Sequence, residues 1–350
     1  MTSTTQRRVL ITGGVGFIGC NLAQRLLDAH QPVTLFDNLS RPGADKNLAW
    51  LRSQYGAAVD FVQADLRDHQ AVAAAMANID VVYHLASQTA VTTSVADPRT
   101  DFETNALGTF NVLEAARNTP QQPIVVYAST NKVYGGMEDV PVVELPTRYT
   151  YRDLPDGVSE AQPIDFHSPY GCSKGAADQY VRDYHRIYGL PTVVLRQSCI
   201  YGPRQMGVED QGWVAWFIIA LITGRPFTIY GNGKQVRDLL YVDDLVDAYL
   251  LSTKHIDITR GKIYNIGGGI NNAVSVWWEL KPMLEEALDR PIDEPPFAAW
   301  RPGDQPIFVA DTRQAEHDFG WQPRVGVRDG ITRLVRWVQE HRTLFERIGT

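Results

Sequence analysis

The chain has 350 residues, 44% hydrophobic and 21% charged, enough to bury a sizeable core in one large domain or two closely packed ones. Its net charge of -7 excludes a field that would gather nucleic acid or an anionic membrane, leaving only local basic pockets for phosphate. Three scattered cysteines, Cys20, Cys172 and Cys199, give neither a disulfide framework nor metal-ligand spacing, and fit a reducing compartment.

The start, Met1 to Gln6, is short and polar and lacks the apolar core of a signal peptide. The most apolar run, Trp213 to Ile222, is about half the length of a membrane helix and reads as a buried one. A soluble, cytoplasmic protein is expected, with no membrane, nucleic-acid or metal partner.

The first strand candidate, Arg8–Thr12, runs into Gly13, Gly16 and Gly19 and then a helix over Phe17–Ala29. Glycines at such a turn let the backbone approach a pyrophosphate and let helix pack against strand, while the helix start offers free N–H groups to the anion. The spacing is Gly-x-x-Gly-x-x-Gly, and by itself it marks only a turn. A second strand, Val33–Phe36, leads to Asp37, roughly 20 residues past the glycines, where a carboxylate can bind both ribose hydroxyls. That carboxylate would repel a 2′-phosphate, so NAD is favoured over NADP.

Strand candidates Asp60–Val62 and Val81–His84 end at Asp65-Leu66 and at His84-Leu85-Ala86, which would border the adenine and pass under the nicotinamide. Gln88 and Thr89 follow; they read equally as substrate contacts or as ordinary polar loop residues. A helical stretch, Asp101–Asn118, leads to the fifth strand candidate, Ile124–Ala128, and to Ser129-Thr130. A hydroxyl there can share a hydrogen bond with a substrate oxygen; the two side chains point differently, so one of them is expected to reach it.

Tyr170 and Lys174 open the helix Tyr170–Tyr188, one turn apart on one face. A free tyrosine, with a pKa of about 10, is a poor base at neutral pH. A lysine ammonium and an oxidised nicotinamide nearby favour the phenolate; a fall of about three units corresponds to roughly 4 kcal/mol, within reach of two close cations. Such a base can take a hydroxyl proton as hydride leaves the same carbon. Tyr230 and Lys234 repeat the spacing, but Gly231 and Gly233 between them make that match a turn. His167 reads as a surface or capping residue, and nothing around Cys199 signals a reactive thiolate.

After the strand Thr192–Arg196 the rhythm loosens into loops around the apolar helix, whose Trp213, Trp216 and Phe217 read as packing. Another strand, Ile263–Ile266, returns to the sheet, and the rest is helical. Strand and helix in alternation predict an α/β fold: a Rossmann-like, doubly wound parallel sheet with a smaller, discontinuous α/β substrate lobe. The expected boundaries are 1–198 and 237–270 for the dinucleotide domain, and 199–236 and 271–350 for the lobe.

These motifs, together with Asn105, Arg237-Asp238 and Arg301-Pro-Gly-Asp304, resemble the extended short-chain dehydrogenase/reductase family of nucleotide-sugar epimerases and dehydratases. The resemblance covers nearly the whole chain. It implies Thr130, not Ser129, as the catalytic hydroxyl beside Tyr170 and Lys174. Around NAD it implies Phe17, Ile18, Asn38, Leu66, Leu85, Ala86, Asn105 and Gln197, besides the residues already derived. For substrate it implies Gln88, Thr130 and Cys199, with Arg237, Arg301 and, less directly, Arg204 on a diphosphate; ion pairs to Asp238 and Asp304 are the structural alternative. A homodimer through Asp101–Asn118 and Tyr170–Tyr188 is implied as well.

Three longer strings, 129–135, 165–180 and 210–217, resemble the branch that epimerises C2 of a CDP-linked deoxyhexose. The expected chemistry is oxidation to a transient 2-keto sugar and return of the hydride to the other face, with no net redox. The related 4,6-dehydratases carry Asp-Glu after the catalytic Thr; Asn131 and Lys132 stand there, which disfavours elimination. The rivals are a C4- or C2-epimerase of a UDP- or GDP-hexose, a net NAD-dependent sugar dehydrogenase, and a catalytically inactive cofactor-binding relative.

Overall fold

The computed structural model describes residues 7–301 and 303–345, so the polar start Met1–Gln6 and Pro302 of the Arg301–Asp304 motif lie outside the described residues. Seven strands form one sheet: β1 (Val9–Thr12), β2 (Val33–Asp37), β3 (Val59–Gln63), β4 (Val81–His84), β5 (Ile124–Thr130), β6 (Thr192–Gln197) and β7 (Lys262–Ile266). Their order is β7-β6-β5-β4-β1-β2-β3, parallel at each of the pairings β1–β2, β2–β3, β1–β4 and β4–β5. Every residue of β1, β4 and β6 is buried, as expected of strands covered by helices on both faces. The expected doubly wound parallel sheet is therefore present, with its strands within a residue or two of the predicted spans.

The chain divides into two compact units. The first comprises the chain up to Ser129, then Pro169–Leu195 and Val246–Ile263. Its helices include α1 (Phe17–Asp28), α2 (Gly108–Arg117) and α3 (Ser168–Tyr188), whose apolar stripes cover the sheet. The predicted helix Asp101–Asn118 is not regular. A short helix, Pro98–Phe102, passes through a wide π-helical turn at Glu103–Leu107 before α2 begins. Within that turn Asn105 is buried and bonds outside its own helix, donating to the Gln88 carbonyl at 3.1 Å and to Ser173 Oγ at 3.1 Å. Such single-turn bulges recur at functional sites.

The second unit comprises Thr130–Ser168, Arg196–Leu245 and the chain from Tyr264 onward. The sequence-derived boundaries had left 130–168, 196–198, 237–245 and 264–270 with the dinucleotide domain. The difference has a packing cause: Val133, Tyr134, Met137, Tyr151 and Val158 bury themselves against Val236 and Ile307–Ala310. The strand Val236–Tyr241 organises this unit, pairing with Ala273–Ser275, Cys199–Tyr201 and Ile307–Phe308. Helix α4 (Trp213–Thr223) is bounded by Gly212 and Gly224, both with positive φ, and Phe217 meets Phe227 and Trp277 in the core. Trp213 and Trp216 pack against the same cluster, so the reading of these rings as packing holds. No described helix is long and apolar enough to cross a membrane.

Candidate active site

The glycine turn joins β1 to α1, and the three glycines of its Gly-x-x-Gly-x-x-Gly motif are not equivalent. A Cβ on Gly13, whose φ is +68°, would stand 2.7 Å from the Ala86 nitrogen, and one on Gly19 would stand 2.2 Å from the Gly13 carbonyl oxygen. These two permit backbone to pack on backbone. A Cβ on Gly16 would meet only the Gly13 oxygen, at 3.2 Å, so this position is open on its outer side. Gly16 is the N-cap of α1 and makes no side-chain cap bond. An open glycine at the head of a 12-residue helix suits a pyrophosphate. Phe17 and Ile18 supply the first turn of that helix.

Asp37 ends β2 and is buried; its carboxylate accepts the Leu39 N–H at 2.8 Å and the Val15 N–H at 3.3 Å. Burial raises its pKa, against the pull of these backbone bonds. Asn38 donates to Asp65 at 2.9 Å, and Arg67 holds the Asp65 carboxyl down at about 2. Leu66 is buried. At the end of β4, His84 links Thr12 Oγ1 (2.7 Å) to Thr109 Oγ1 (2.9 Å), and burial drives its pKa down to about 3. It is a neutral connector that holds Leu85 and Ala86 in line. The turn, the acidic strand end and the buried β4 terminus fit a dinucleotide, so the predicted cofactor residues of the first unit lie along consecutive strand ends.

Tyr170 and Lys174 lie one turn apart on α3, both buried. The Tyr170 N–H donates to Ser94 Oγ at 3.1 Å, which fixes the start of the helix. Lys174 Nζ donates to the Ala128 carbonyl at 2.6 Å and lies 4.3 Å from the centre of the Tyr127 ring. Burial pushes the Lys174 ammonium down to about 7, against the attraction of Asp178 and Asp101. The decoy pair is a turn, as its glycines predicted. Tyr230 donates to Glu209 and Lys234 to Glu144, with Gly231 and Gly233 at positive φ between them.

Ser129 and Thr130 end β5 with opposite commitments. Ser129 donates to Asp178 at 2.6 Å and is fully engaged as a donor. Thr130, which opens the second unit, accepts the Lys132 N–H at 3.3 Å and sits 3.4 Å from Asn131 Oδ1, both long contacts. Of the two hydroxyls, that of Thr130 is the less firmly engaged.

Gln88 is anchored through its backbone N–H, which donates to Asn105 at 2.8 Å, and through its amide, which donates to the Ala90 carbonyl. Its Oε1 is buried with no donor among the described residues, an acceptor suited to a sugar hydroxyl. Thr89 instead accepts from Arg41.

In the second unit, Arg237 is paired with Asp304 at 2.6 Å and also donates to the Val236 and Gln305 carbonyls. Arg301 donates twice to the Glu209 carbonyl at 3.2 Å, lies 3.4 Å from Asp210, and stacks 3.9 Å from the Tyr230 ring centre. Arg204 is buried at positive φ, 5.6 Å from the Trp337 ring centre. The anticipated ion pair to Asp304 is thus formed by Arg237, while Asp238 is held by Ser198 and two backbone N–H groups. Gln197 is buried, and burial pushes the half-buried Cys199 thiol up, away from a reactive thiolate. Lys132 carries no hydrogen bond from its ammonium among the described residues, and Arg237, Asp304 and Cys199 all act on its charge. His167 is exposed.

Sequence reasoning missed Asp178, Asp101 and Ser173. Ser173 donates to Asp101 at 2.5 Å, and that carboxylate also accepts from Asn105. Only the four-residue step from Lys174 to Asp178 could have revealed one of them in advance.

A family model described as NAD dependent epimerase/dehydratase family matches residues 9–267. The CDP-paratose 2-epimerase of Salmonella typhi is 44% identical over 339 residues, 94% of this chain and 98% of that protein. The UDP-glucose 4-epimerase of Mycolicibacterium smegmatis is 34% identical over 332 residues, 94% and 98% of the two chains. Among solved structures, a dTDP-glucose 4,6-dehydratase from Streptomyces venezuelae with NAD bound matches at a TM-score of 0.83 and 30% identity, covering 98% of this chain and 100% of that one.

Proposed function

This chain belongs to the NAD-dependent epimerase/dehydratase family, and from that premise we propose that it inverts C2 of a CDP-linked deoxyhexose. The observation that carries the reading is the 44% identity to a CDP-paratose 2-epimerase along almost the whole of both chains. Asn131 and Lys132 support it from the other side, since neither offers the carboxylic acid and carboxylate that elimination needs. The enzyme is an isomerase and its cofactor is NAD.

The C2 hydrogen of a sugar is not beside a carbonyl, so oxidation must come first. Tyr170, as phenolate, takes the proton of the C2 hydroxyl, and the Lys174 ammonium stabilises that phenolate. Bound NAD supplies the redox chemistry at C2, so the sugar passes through a 2-keto state without net oxidation. Thr130 shares the hydrogen bond to the reacting oxygen. Gln88 Oε1 accepts from a neighbouring hydroxyl while the ring presents its second face. Arg301, whose partners are a backbone carbonyl and the half-exposed Asp210, is the leading diphosphate ligand, with Arg237 behind it and Arg204 as a third.

The test is product stereochemistry. CDP-, UDP- and GDP-hexoses are incubated with the enzyme and read by NMR. The expected result is a C2-inverted CDP-deoxyhexose with no rise in absorbance at about 340 nm and no solvent deuterium at C2. C4 inversion of a UDP-hexose with the CDP-sugars untouched would replace this reading with the 4-epimerase one.

A homodimer is part of the same proposal. Phe102, Tyr180 and Ile187 are 58%, 51% and 65% exposed, and Phe110 meets Tyr180 edge-on at 6.2 Å, joining α2 to α3 in one apolar strip. Tyr180→Arg combined with Ile187→Glu is expected to halve the mass seen by light scattering without lowering the unfolding temperature of the protomer. A wild-type monomer at micromolar concentration overturns the dimer.

A further inference from the structure

The Lys174 ammonium is enclosed by first-unit groups from several elements. Asp178 shares its helix, Asp101 comes from the short helix Pro98–Phe102, Tyr127 and the Ala128 carbonyl from β5, and His84 from β4. Tyr127 is held neutral by burial, and His84 is neutral above about 3. Only the two carboxylates can balance the cation. Of these, Asp178 acts on it more strongly than Asp101, and burial raises the Asp101 carboxyl.

Asp178 is completely buried and one further turn along α3. Its Oδ2 accepts the Ser129 hydroxyl at 2.6 Å, and its Oδ1 accepts the Gln179 amide at 2.8 Å. Ser129 directly follows Ala128, whose carbonyl receives the Lys174 ammonium at 2.6 Å. The carboxylate therefore faces the lysine in charge and grips the strand residue next to the lysine's acceptor.

We propose that Asp178 is a positioning residue for the reaction: it keeps Lys174 an ammonium and, through Ser129, holds the end of β5 that receives it. The proposal rests on the roles given above to Tyr170 and Lys174. Without this counter-charge, desolvation would strip the proton from Lys174 at neutral pH, and Tyr170 would lose its stabilising cation. With it, the lysine is charged up to the edge of the working range.

The sign of the pH effect follows. Activity needs charged Lys174, so it declines as pH rises through that lysine's pKa. Removing the negative charge lowers that pKa and moves the alkaline limb of kcat to lower pH. Asp178→Asn retains an acceptor for Ser129 and is expected to lower the limb by about one unit, costing about fivefold at the wild-type midpoint, approaching about tenfold above it and much less below it. Asp178→Glu should return the limb most of the way.

A second readout needs no turnover: the NMR titration of Lys174 in full-length, 13C-lysine-labelled protein, its signal identified by loss in Lys174→Arg. The midpoint should fall in Asp178→Asn. It should also fall in Ser129→Ala, where the carboxylate loses the strand residue that holds it and the end of β5 in place; this variant carries the test if the first does not fold. A midpoint that stays fixed in the folded variants, or a loss of kcat equal at every pH, overturns the proposal. If the wild-type enzyme epimerises no nucleotide sugar, the functional reading fails instead, and the titration still decides the Asp178–Lys174 coupling.

Discussion

Tyr170→Phe is expected to reduce kcat about a thousandfold while leaving the protein folded and able to bind NAD. The substitution removes one oxygen and keeps the ring, which is buried in the first turn of α3 where the backbone N–H is already tied to Ser94. Stability should change by no more than about 1 kcal/mol, because no cavity larger than a hydroxyl is created. The large term is chemical. Without the phenol the neighbouring Lys174 cannot take the hydroxyl proton in its place, since as an ammonium it is a donor, committed to the Ala128 carbonyl. Single-turnover measurement with the preferred nucleotide sugar separates this from a binding defect: KM should move little while kcat collapses. Full turnover in the variant would end the assignment of Tyr170 as the base.

The second large effect is at the glycine turn, where two alanine substitutions should behave differently. In Gly19→Ala the new methyl would stand 2.2 Å from a backbone oxygen, so either the turn or α1 must shift. A loss of about 1–3 kcal/mol in stability and of measurable NAD binding is expected. In Gly16→Ala the methyl meets one oxygen at 3.2 Å, and φ is an ordinary -68°. The fold should persist, and the dissociation constant for NAD should rise about tenfold or more, because the methyl stands where the pyrophosphate approaches the helix. Urea unfolding and calorimetric NAD titration of both variants check the pair. Equal stability losses would mean that Gly16 serves packing alone.

Much of this was legible because strand ends are written in local sequence. Val33–Phe36 leading into Asp37, or Val81–His84 into Leu85-Ala86, needs only a buried apolar run and the residue that stops it. The helical context that separated Tyr170 and Lys174 from Tyr230 and Lys234 was local too. What stayed hidden depends on partners distant in sequence. The Ser129 hydroxyl is engaged by Asp178, 49 residues away. Arg237 is occupied by Asp304, 67 residues away, and no spacing rule reaches that far. The π-helical turn at Asn105 breaks a stretch whose periodicity reads as continuous, because its cause is the contact with Gln88 and Ser173. The packing of the segment 130–168 with the second unit was hidden as well, because its apolar residues, Tyr134 and Val158 among them, are matched by Val236 and Phe308 far downstream.

The order of the sheet has a consequence for how the chain is made. Strands β1 to β5 are all synthesised once Thr130 has been added, well before β6, and among them β5 forms one edge. Its Val125, Val126 and Tyr127 are fully buried once β6 has paired, but β6 begins about sixty residues later, a delay of several seconds at roughly 5–20 residues per second. Throughout that interval the nascent sheet offers an apolar, unpaired border to any neighbouring strand. Yield in a heterologous host should therefore depend on whether a chaperone shields this border during elongation, more than on the equilibrium stability of the finished protein.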